Sequence, residues 1–393
     1  MEYRPYYLSR EWIKAGHKVT IVAASMSHVR SQQPVINGDI TEENIDGIRY
    51  IWVKTPEYYG NGIGRVINMA YFSIRLFVLN DALISDNKPD IVIASSPHPF
   101  IIYGAQRIAR TNNAKLVFEV RDLWPLTLTE LGDISKWHPF VLFMQLTENF
   151  AYRISDRIIS LLPKADIYMK EHGMAPEKFF YLPNGLDVAE WKKSTRNALP
   201  KAHVELLNQL KQQGNFIVGY AGSHGISNVL HYLIDAADML RAKPIAIVLV
   251  GKGPEKDALQ NKALELGLKN VFFLPAVAKA AIPALLNLMD ALYIGWQKKS
   301  LYKFGISPNK LLDYMMAAKP IIHAVDTEND IVAQSGCGIS VPPEDPVAIA
   351  NAIIQLMNMT PDKRKEIGLR GKEYVLAHHD YKFLAKRFLE IIQ

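Results

Sequence analysis

From residue 215 onward, short runs of aliphatic and β-branched residues recur at 216–220, 245–250, 271–274, 291–296, 321–325 and 338–341, with helical patterns between them. Strands written as unbroken apolar runs, rather than as an apolar and polar alternation, are those of parallel sheets with helices on both faces. This half therefore reads as a doubly wound α/β domain, its first crossover helix expected over 227–241.

The first half repeats the grammar, with strands expected at 17–24, 90–95, 115–120, 157–161 and 179–182, and an added strand at 48–53. Its start is unusual. Pro5 and Gly16 bracket a helical stretch, Tyr6 to Ala15, as a first-turn proline and a terminal glycine do. A doubly wound domain normally places its central strand ahead of such a helix, and only four residues precede Pro5. The expectation is a domain short of its first strand and loop, about 20 residues by usual element lengths. The polar stretch at 190–214, rich in Lys and Gln, suits a linker with a short helix.

Composition sets limits on partners. The chain has 393 residues, 49% hydrophobic and 21% charged, which excludes disordered and collagen-like classes. Of its 45 basic and 39 acidic residues, 20 of each fall in 1–187, so the net charge of +6 belongs to the second half. That asymmetry points to an anionic ligand there rather than to nucleic acid, although a solvated basic surface gives the same arithmetic. A lone cysteine, Cys337, precludes an intramolecular disulfide framework and reads as a small core residue. The N-terminus carries no apolar signal-peptide core, and no run reaches the ~18 apolar residues of a membrane span. The nearest, 66–84, is broken by Arg75, Asn80 and Asp81.

Three segments in the second half carry anion-binding chemistry. Pro308 can open a helix, which places Asn309 and Lys310 in a first turn whose free amides and dipole favour anions. Lys310 adds a point charge suited to phosphate, and Asp313 one turn later suits ribose hydroxyls. The loops 221–225, with Gly222, Ser223 and His224, and 251–255, with Gly251, Lys252 and Gly253, follow the first two strands. Ligands of open α/β sheets bind beyond the carboxyl ends of strands. Each loop alone also fits an ordinary strand-to-helix turn, and the 308–320 helix also fits a plain amphipathic helix burying Leu311, Leu312 and Met315.

The Asp313 helix, the Gly251-Lys252-Gly253-Pro254 turn and the Leu182-Pro183-Asn184-Gly185-Leu186-Asp187 segment together resemble retaining GT-B glycosyltransferases of family GT4. The likeness extends along essentially the whole chain and is greatest to the bacterial subgroup that builds O-antigen and capsule repeats, including fucosamine transferases. It implies two Rossmann-like domains facing a cleft: an acceptor domain over 1–187, a linker over 188–214, a donor domain over 215–370, and a C-terminal segment, 371–393, packing back on the first domain. The family's donor signature is a Glu-x7-Glu pair. Asp313 stands at its second position and Gly305 at its first, so the sugar-binding acid is absent, and the amides of Gly305, Ile306 and Ser307 are left to meet phosphate oxygens. Lys310 is the expected neutraliser of the leaving diphosphate, Lys252 a poorer second.

In the first half, Glu119, Arg121, Asp122 and Trp124 end a strand together, a costly set to bury and one suited to an acceptor site. Asp122 is the expected orienting or basic group and Arg121 a phosphate ligand, with an internal salt bridge as the structural alternative. Ser96 and His98 end the preceding strand alongside them. No recurring metal-ligand spacing accompanies His98, and no Asp-x-Asp motif occurs, which fits a transferase needing neither metal nor cofactor. The glycines of 60–65 have the wrong spacing for a dinucleotide fingerprint, and no Walker A or Gly-x-Ser-x-Gly motif is present.

The expected partners are thus a nucleotide diphosphate-sugar, UDP-linked and carrying an N-acetylated aminosugar, and a polyprenyl-diphosphate-linked glycan. Residues 66–84 suit either an interfacial helix at the inner face of the cytoplasmic membrane or a core helix. A GT-B nucleotide-sugar 2-epimerase and an impaired nucleotide-binding homologue are the competing functions.

Overall fold

The structure, a computed structural model, describes residues 3–27, 30, 32–60, 62–78, 88–96, 98–195 and 198–393. The chain divides into two compact units. The first comprises Met1–Asn184, Phe304–Ser307 and Tyr381–Gln393, the second Gly185–Lys303 and Pro308–Asp380.

The first unit runs α1 (Tyr3–Lys14), β1 (Thr20–Ala24), β2 (Ile40–Ile45), β3 (Ile48–Val53), α2 (Ile63–Val78), β4 (Ile91–Ser95), α3 (Ile102–Asn112), β5 (Lys115–Val120), α4 (Trp124–Glu130), α5 (Pro139–Ile154), β6 (Arg157–Ser160), α6 (Ala165–Glu171) and β7 (Phe179–Tyr181). Its strands form two sheets, β1-β3-β2 and the parallel β4-β5-β6-β7. Among the described residues no strand pairs with the outer edge of β1 or β4, so both strands stay largely half-exposed while β5 is buried from Leu116 onward.

β2 is an unforeseen strand, antiparallel to β3. Asp46 and Gly47, with φ of 52° and 83°, make the tight turn between them, the left-handed pair that short hairpins require.

The second unit contains α7 (Val188–Ser194), α8 (Lys201–Gln212), β8 (Phe216–Ala221), α9 (Leu230–Met239), β9 (Ile245–Val250), α10 (Lys256–Glu265), β10 (Val271–Leu274), α11 (Ile282–Asn287), β11 (Ala291–Gly295), α12 (Asn309–Met316), β12 (Ile321–Ala324), α13 (Ile331–Ser335), β13 (Gly338–Val341), α14 (Pro346–Asn358) and α15 (Pro361–His378). All its strands are parallel in the order β10-β9-β8-β11-β12-β13, the doubly wound arrangement, with the order reversing between β8 and β11. β8 and β9 are buried at every position, as their unbroken apolar runs demand.

Two expectations need correction here. The 188–214 stretch is not a linker: α7 and α8 bury Val188, Trp191, Leu207 and Leu210 in the core beneath the sheet. Polar residues dominate the sequence because only one face of each helix is inward. The helix expected over 227–241 begins at Leu230, because Val229 takes a left-handed conformation, φ 43°, after a 3-10 turn at Ile226–Asn228. Cys337 is fully buried in the same core, with its thiol pushed up to about 11 by burial.

The last helix, α16 (Tyr381–Ile392), returns to the first unit. It lays Tyr381, Leu384 and Phe388 against Tyr7, Leu8 and Trp12 of α1, and the Trp12 indole donates to the Ala385 carbonyl at 3.0 Å. Each large apolar side chain so buried contributes on the order of 2 kcal/mol.

Candidate functional site

In the second unit the site gathers beyond the carboxyl end of β8, at the point where strand order reverses. Pro308 precedes α12 without a side-chain cap, so the first-turn amides of the helix remain available to an anion. Lys310, in that turn, donates to the Tyr220 hydroxyl at 2.6 Å and to Asn228 Oδ1 at 2.9 Å. Its ammonium lies 4.3 Å from the centre of the Tyr220 ring. Burial pushes it down to about 8. Nothing in this set neutralises the charge, since both partners are uncharged.

Gly222 makes room for that lysine: a Cβ there would stand 2.6 Å from Lys310 Cε. Gly251 and Gly253 serve a different end, because side chains on them would collide with the main chain of Gly222 and His224. The two glycine loops are therefore packed on each other. His224 N donates to the Lys252 carbonyl at 2.9 Å, and Glu255 N to the His224 carbonyl at 3.0 Å. Its ring is fully buried and its imidazole is pushed down to about 4, by burial and then by Lys256 and Lys310. His224 thus acts through its main chain, and as a neutral ring it adds no charge to a ligand.

Lys252 is exposed, whereas Lys256, which the sequence did not single out, turns back to the Gly251 carbonyl at 3.3 Å. Ser223 lends its carbonyl to the Tyr220 hydroxyl and the Asn228 amide. Asn309 is exposed. Asp313 is pushed up to about 6 by burial, with Lys279 pulling it down and Glu190 pushing it up. Gly305, Ile306 and Ser307 group with the first unit instead, where Asn184 N donates to Ser307 Oγ at 2.9 Å and Asn184 Nδ2 to the Ser307 carbonyl at 2.7 Å.

In the first unit, the carboxyl ends of β4 and β5 bring Ser96, His98, Arg121, Asp122 and Trp124 together. Ser96 Oγ accepts from the Arg121 amide at 3.3 Å and so fixes the turn. His98 is buried and pushed down to about 3 by burial and by Arg65. Its Nδ1 and the Trp124 indole nitrogen are buried polar atoms that find no protein partner, a costly state unless a ligand or water completes them. Asp122 is exposed at the turn, within the field of Arg121 and Arg65. Arg65, which the sequence did not place at this site, comes from the first turn of α2 and stacks over the Trp124 ring at 5.3 Å.

Glu119 does not join this group. It is 2% exposed, receives Arg4 Nε at 2.8 Å and Ser95 Oγ at 2.5 Å, and is held below the usual carboxylate range. Burial alone would raise it; Arg4, Ser95 and Arg121 outweigh that. The internal salt bridge, weighed as the alternative for this segment, is what Glu119 forms.

Comparison with known proteins fits this architecture. Residues 1–190 match the family model described as Glycosyltransferase Family 4, and residues 215–359 match the one described as Glycosyl transferases group 1. The chain is 25% identical over 361 residues to the colanic acid biosynthesis glycosyl transferase WcaI of Escherichia coli, covering 88% of this chain and 86% of that one. It is 29% identical over 248 residues to the D-rhamnosyltransferase WbpZ of Pseudomonas aeruginosa, covering 62% and 61%. The crystal structure of Anabaena HepE with UDP and glucose superposes with a TM-score of 0.64 at 18% identity, over 88% of this chain and 86% of that one. Fold and matches define a glycosyltransferase of GT-B architecture. Within that class, the chain belongs with glycosyltransferase family 4.

Proposed function

We propose that the protein transfers a sugar, an N-acetylated aminosugar such as fucosamine, from a UDP-linked donor to a polyprenyl-diphosphate-linked glycan during surface polysaccharide assembly, with retention of anomeric configuration. One observation carries the donor half of this reading: an ammonium without a counter-charge, Lys310, stands at an uncapped helix start beside Gly222 at the switch point of a parallel sheet. A diphosphate supplies the charge that this arrangement lacks, and Lys310 with the α12 amides would stabilise it as it leaves. Asp313 would take the ribose hydroxyls. The names of the relatives, colanic acid synthesis and rhamnosyl transfer, support a polysaccharide context. UDP and glucose are bound by HepE, which favours UDP as the nucleotide.

Arg121 and Asp122, with His98 and Trp124, would meet the acceptor, Asp122 orienting the attacking hydroxyl. Among the described residues no helix is long and apolar enough to cross a membrane. Residues 79–84 of the 66–84 segment lie outside the described set. Within α2, Met69 and Leu76 are core residues, while Ile63, Ile67 and Ile74 are 80%, 54% and 61% exposed. That outward face suits a lipid-borne acceptor.

The test incubates the protein with UDP-sugars and N-acetylglucosaminyl-diphosphoundecaprenol in micelles, following both UDP release and glycolipid product. Transfer supports the proposal. UDP binding with neither transfer nor epimerisation would instead establish a nucleotide-binding homologue.

A further inference from the structure

Four groups at the carboxyl end of β8 close a ring of hydrogen bonds through the Lys310 ammonium. Lys310 Nζ donates to Tyr220 Oη at 2.6 Å and to Asn228 Oδ1 at 2.9 Å. Both of those side chains in turn donate to the Ser223 carbonyl, Tyr220 Oη at 2.6 Å and Asn228 Nδ2 at 3.1 Å. Donors and acceptors match around the ring. The carbonyl uses both lone pairs, the phenol gives its single hydrogen and accepts one, and the amide turns its oxygen to the lysine and its nitrogen to the carbonyl. An ammonium has three hydrogens, so with two in the ring one is left outside it. Gly222, at which a Cβ would stand 2.9 Å from Nζ, leaves the space beside the charge unfilled.

Asn228 owes its place to an unusual backbone. The 3-10 turn Ile226–Asn228 ends at Val229, whose φ of 43° and ψ of 41° put a buried β-branched residue in the left-handed region. Such a residue is an outlier that persists only where its surroundings over-determine it, and outliers of this kind gather at functional sites. Here Asn228 N donates to the Gly225 carbonyl at 3.0 Å and Val229 N to the Ile226 carbonyl at 3.2 Å, while Tyr232 N reaches the Val229 carbonyl at 3.1 Å. The strained residue thus keeps Asn228 out of α9, in the turn from which it bonds to both Ser223 and Lys310.

We propose that Asn228 is a positioning residue for Lys310, its amide tying the ammonium to the Ser223 carbonyl so that the lysine meets a diphosphate with its charge intact and one hydrogen free. This rests on reading Lys310 as the counter-charge of the donor diphosphate. An amide is suited to both tasks: an apolar side chain would leave the ammonium free to turn, whereas a carboxylate would hold it and cancel the charge it has to offer. Of the titratable neighbours, His224 is neutral, pushed down to about 4 by burial, Lys256 and Lys310, and Tyr220 is held well above its ordinary value by burial, then by Tyr314 and Tyr293. Gly225, Ile226 and Val229 of the same turn line a cavity with His231, Glu255 and Glu344. Neither carboxylate acts on Lys310, which is displaced by burial alone.

The experiment measures UDP affinity of the full chain by calorimetry from pH 6 to 9.5 in wild type, N228A, N228D, K310M and the N228A/K310M double variant. Lys310 itself is followed by NMR of lysine labelled with 13C at Cε, with K310M supplying the assignment. At pH 6.5 N228A should bind UDP about tenfold more weakly than wild type, and the loss should vanish in the K310M background. The Lys310 titration, centred near 8 in wild type, should move to lower pH in N228A, which lacks an acceptor for the charged form, and to higher pH in N228D, which pairs with it. Opposite movements separate positioning from a general loosening of the loop, which would shift both variants alike. N228D keeps the shape of asparagine and the oxygen toward Lys310, so the titration can be read even if N228A folds poorly. No loss in N228A, an equal loss in the K310M background, or a Lys310 titration that both variants leave in place overturns the proposal. If K310M binds UDP like wild type while the Lys310 titration still answers to position 228, the donor reading fails and the Asn228 link stands.

Discussion

Lys310 Nζ donates to Tyr220 Oη at 2.6 Å while lying 4.3 Å from the centre of the same ring, so one aromatic side chain holds the ammonium by both its edge and its face. Neither contact removes the charge, and burial pushes it down to about 8. UDP affinity should therefore fall as pH rises through 8, because the free protein loses the cation that the diphosphate needs. Below that pH K310M should bind UDP about 10- to 100-fold more weakly, the worth of one charge-assisted hydrogen bond, with no dependence on pH near 8. Titration calorimetry in buffers of different ionisation enthalpy checks this, since wild type should also take up a proton on binding at pH 8.5.

The glycines of the two donor-side loops should separate by phenotype. G222A places a methyl group against Lys310 Cε and Nζ, at 2.6 and 2.9 Å, and a lysine tip can move aside. The variant should fold normally and lose UDP affinity by about tenfold. G251A drives its methyl into the Gly222 carbonyl, which belongs to the main chain and cannot yield. It should lose about 2 kcal/mol or more of stability, read by urea denaturation. A G251A protein as stable as wild type would mean that the loops are not packed as described.

Arg4 and Glu119 predict a stability effect rather than a kinetic one. The pair joins α1 to β5, and Arg4 also donates to the Leu182 and Pro183 carbonyls beyond β7. R4M strands a buried carboxylate and should cost about 3 to 5 kcal/mol. The folded Glu119 carboxyl titrates below its ordinary 4.5, so its contribution is present above that pH and drains away as the solution is acidified below it. E119Q should flatten the acid limb of the stability curve and leave acceptor KM unchanged.

The sheet of the second unit was readable because burial on both faces forbids polar interruptions, and the apolar run of β9 is the strand itself. β2 escaped because Thr41, Glu42, Glu43 and Asn44 line a solvent-facing hairpin edge that needs no apolar pattern, although Asp46-Gly47 was a turn signal in plain sight. Which strands of the first unit pair with which is a matter of topology that no apolar run carries. At the site, Lys310 was visible through Pro308 ahead of it. Arg65 and Lys256 were not: each becomes distinctive only through what lies across the fold, respectively the Trp124 ring and the Gly251 carbonyl.

Glu148, 1% exposed on α5, predicts an inverted pH dependence of stability. Its carboxyl titrates near 7 in the folded chain against 4.5 ordinarily, so between those values the folded state binds the proton that the unfolded chain has released. Stability must then fall as pH rises from 4.5 to 7 and stay lower above, by up to about 3 kcal/mol for a shift of this size. E148Q has no proton to lose. It should match wild type within error at pH 5 and exceed it in stability at pH 8, with the difference opening between those limits in urea titrations of the first unit's transition. E119Q serves as the opposite control, because the Glu119 shift has the other sign and acts below pH 4.5. If E148Q were less stable than wild type at pH 8, the carboxylate would be a net stabiliser of the α4–α5–α6 packing, and burial could not be what raises its proton affinity.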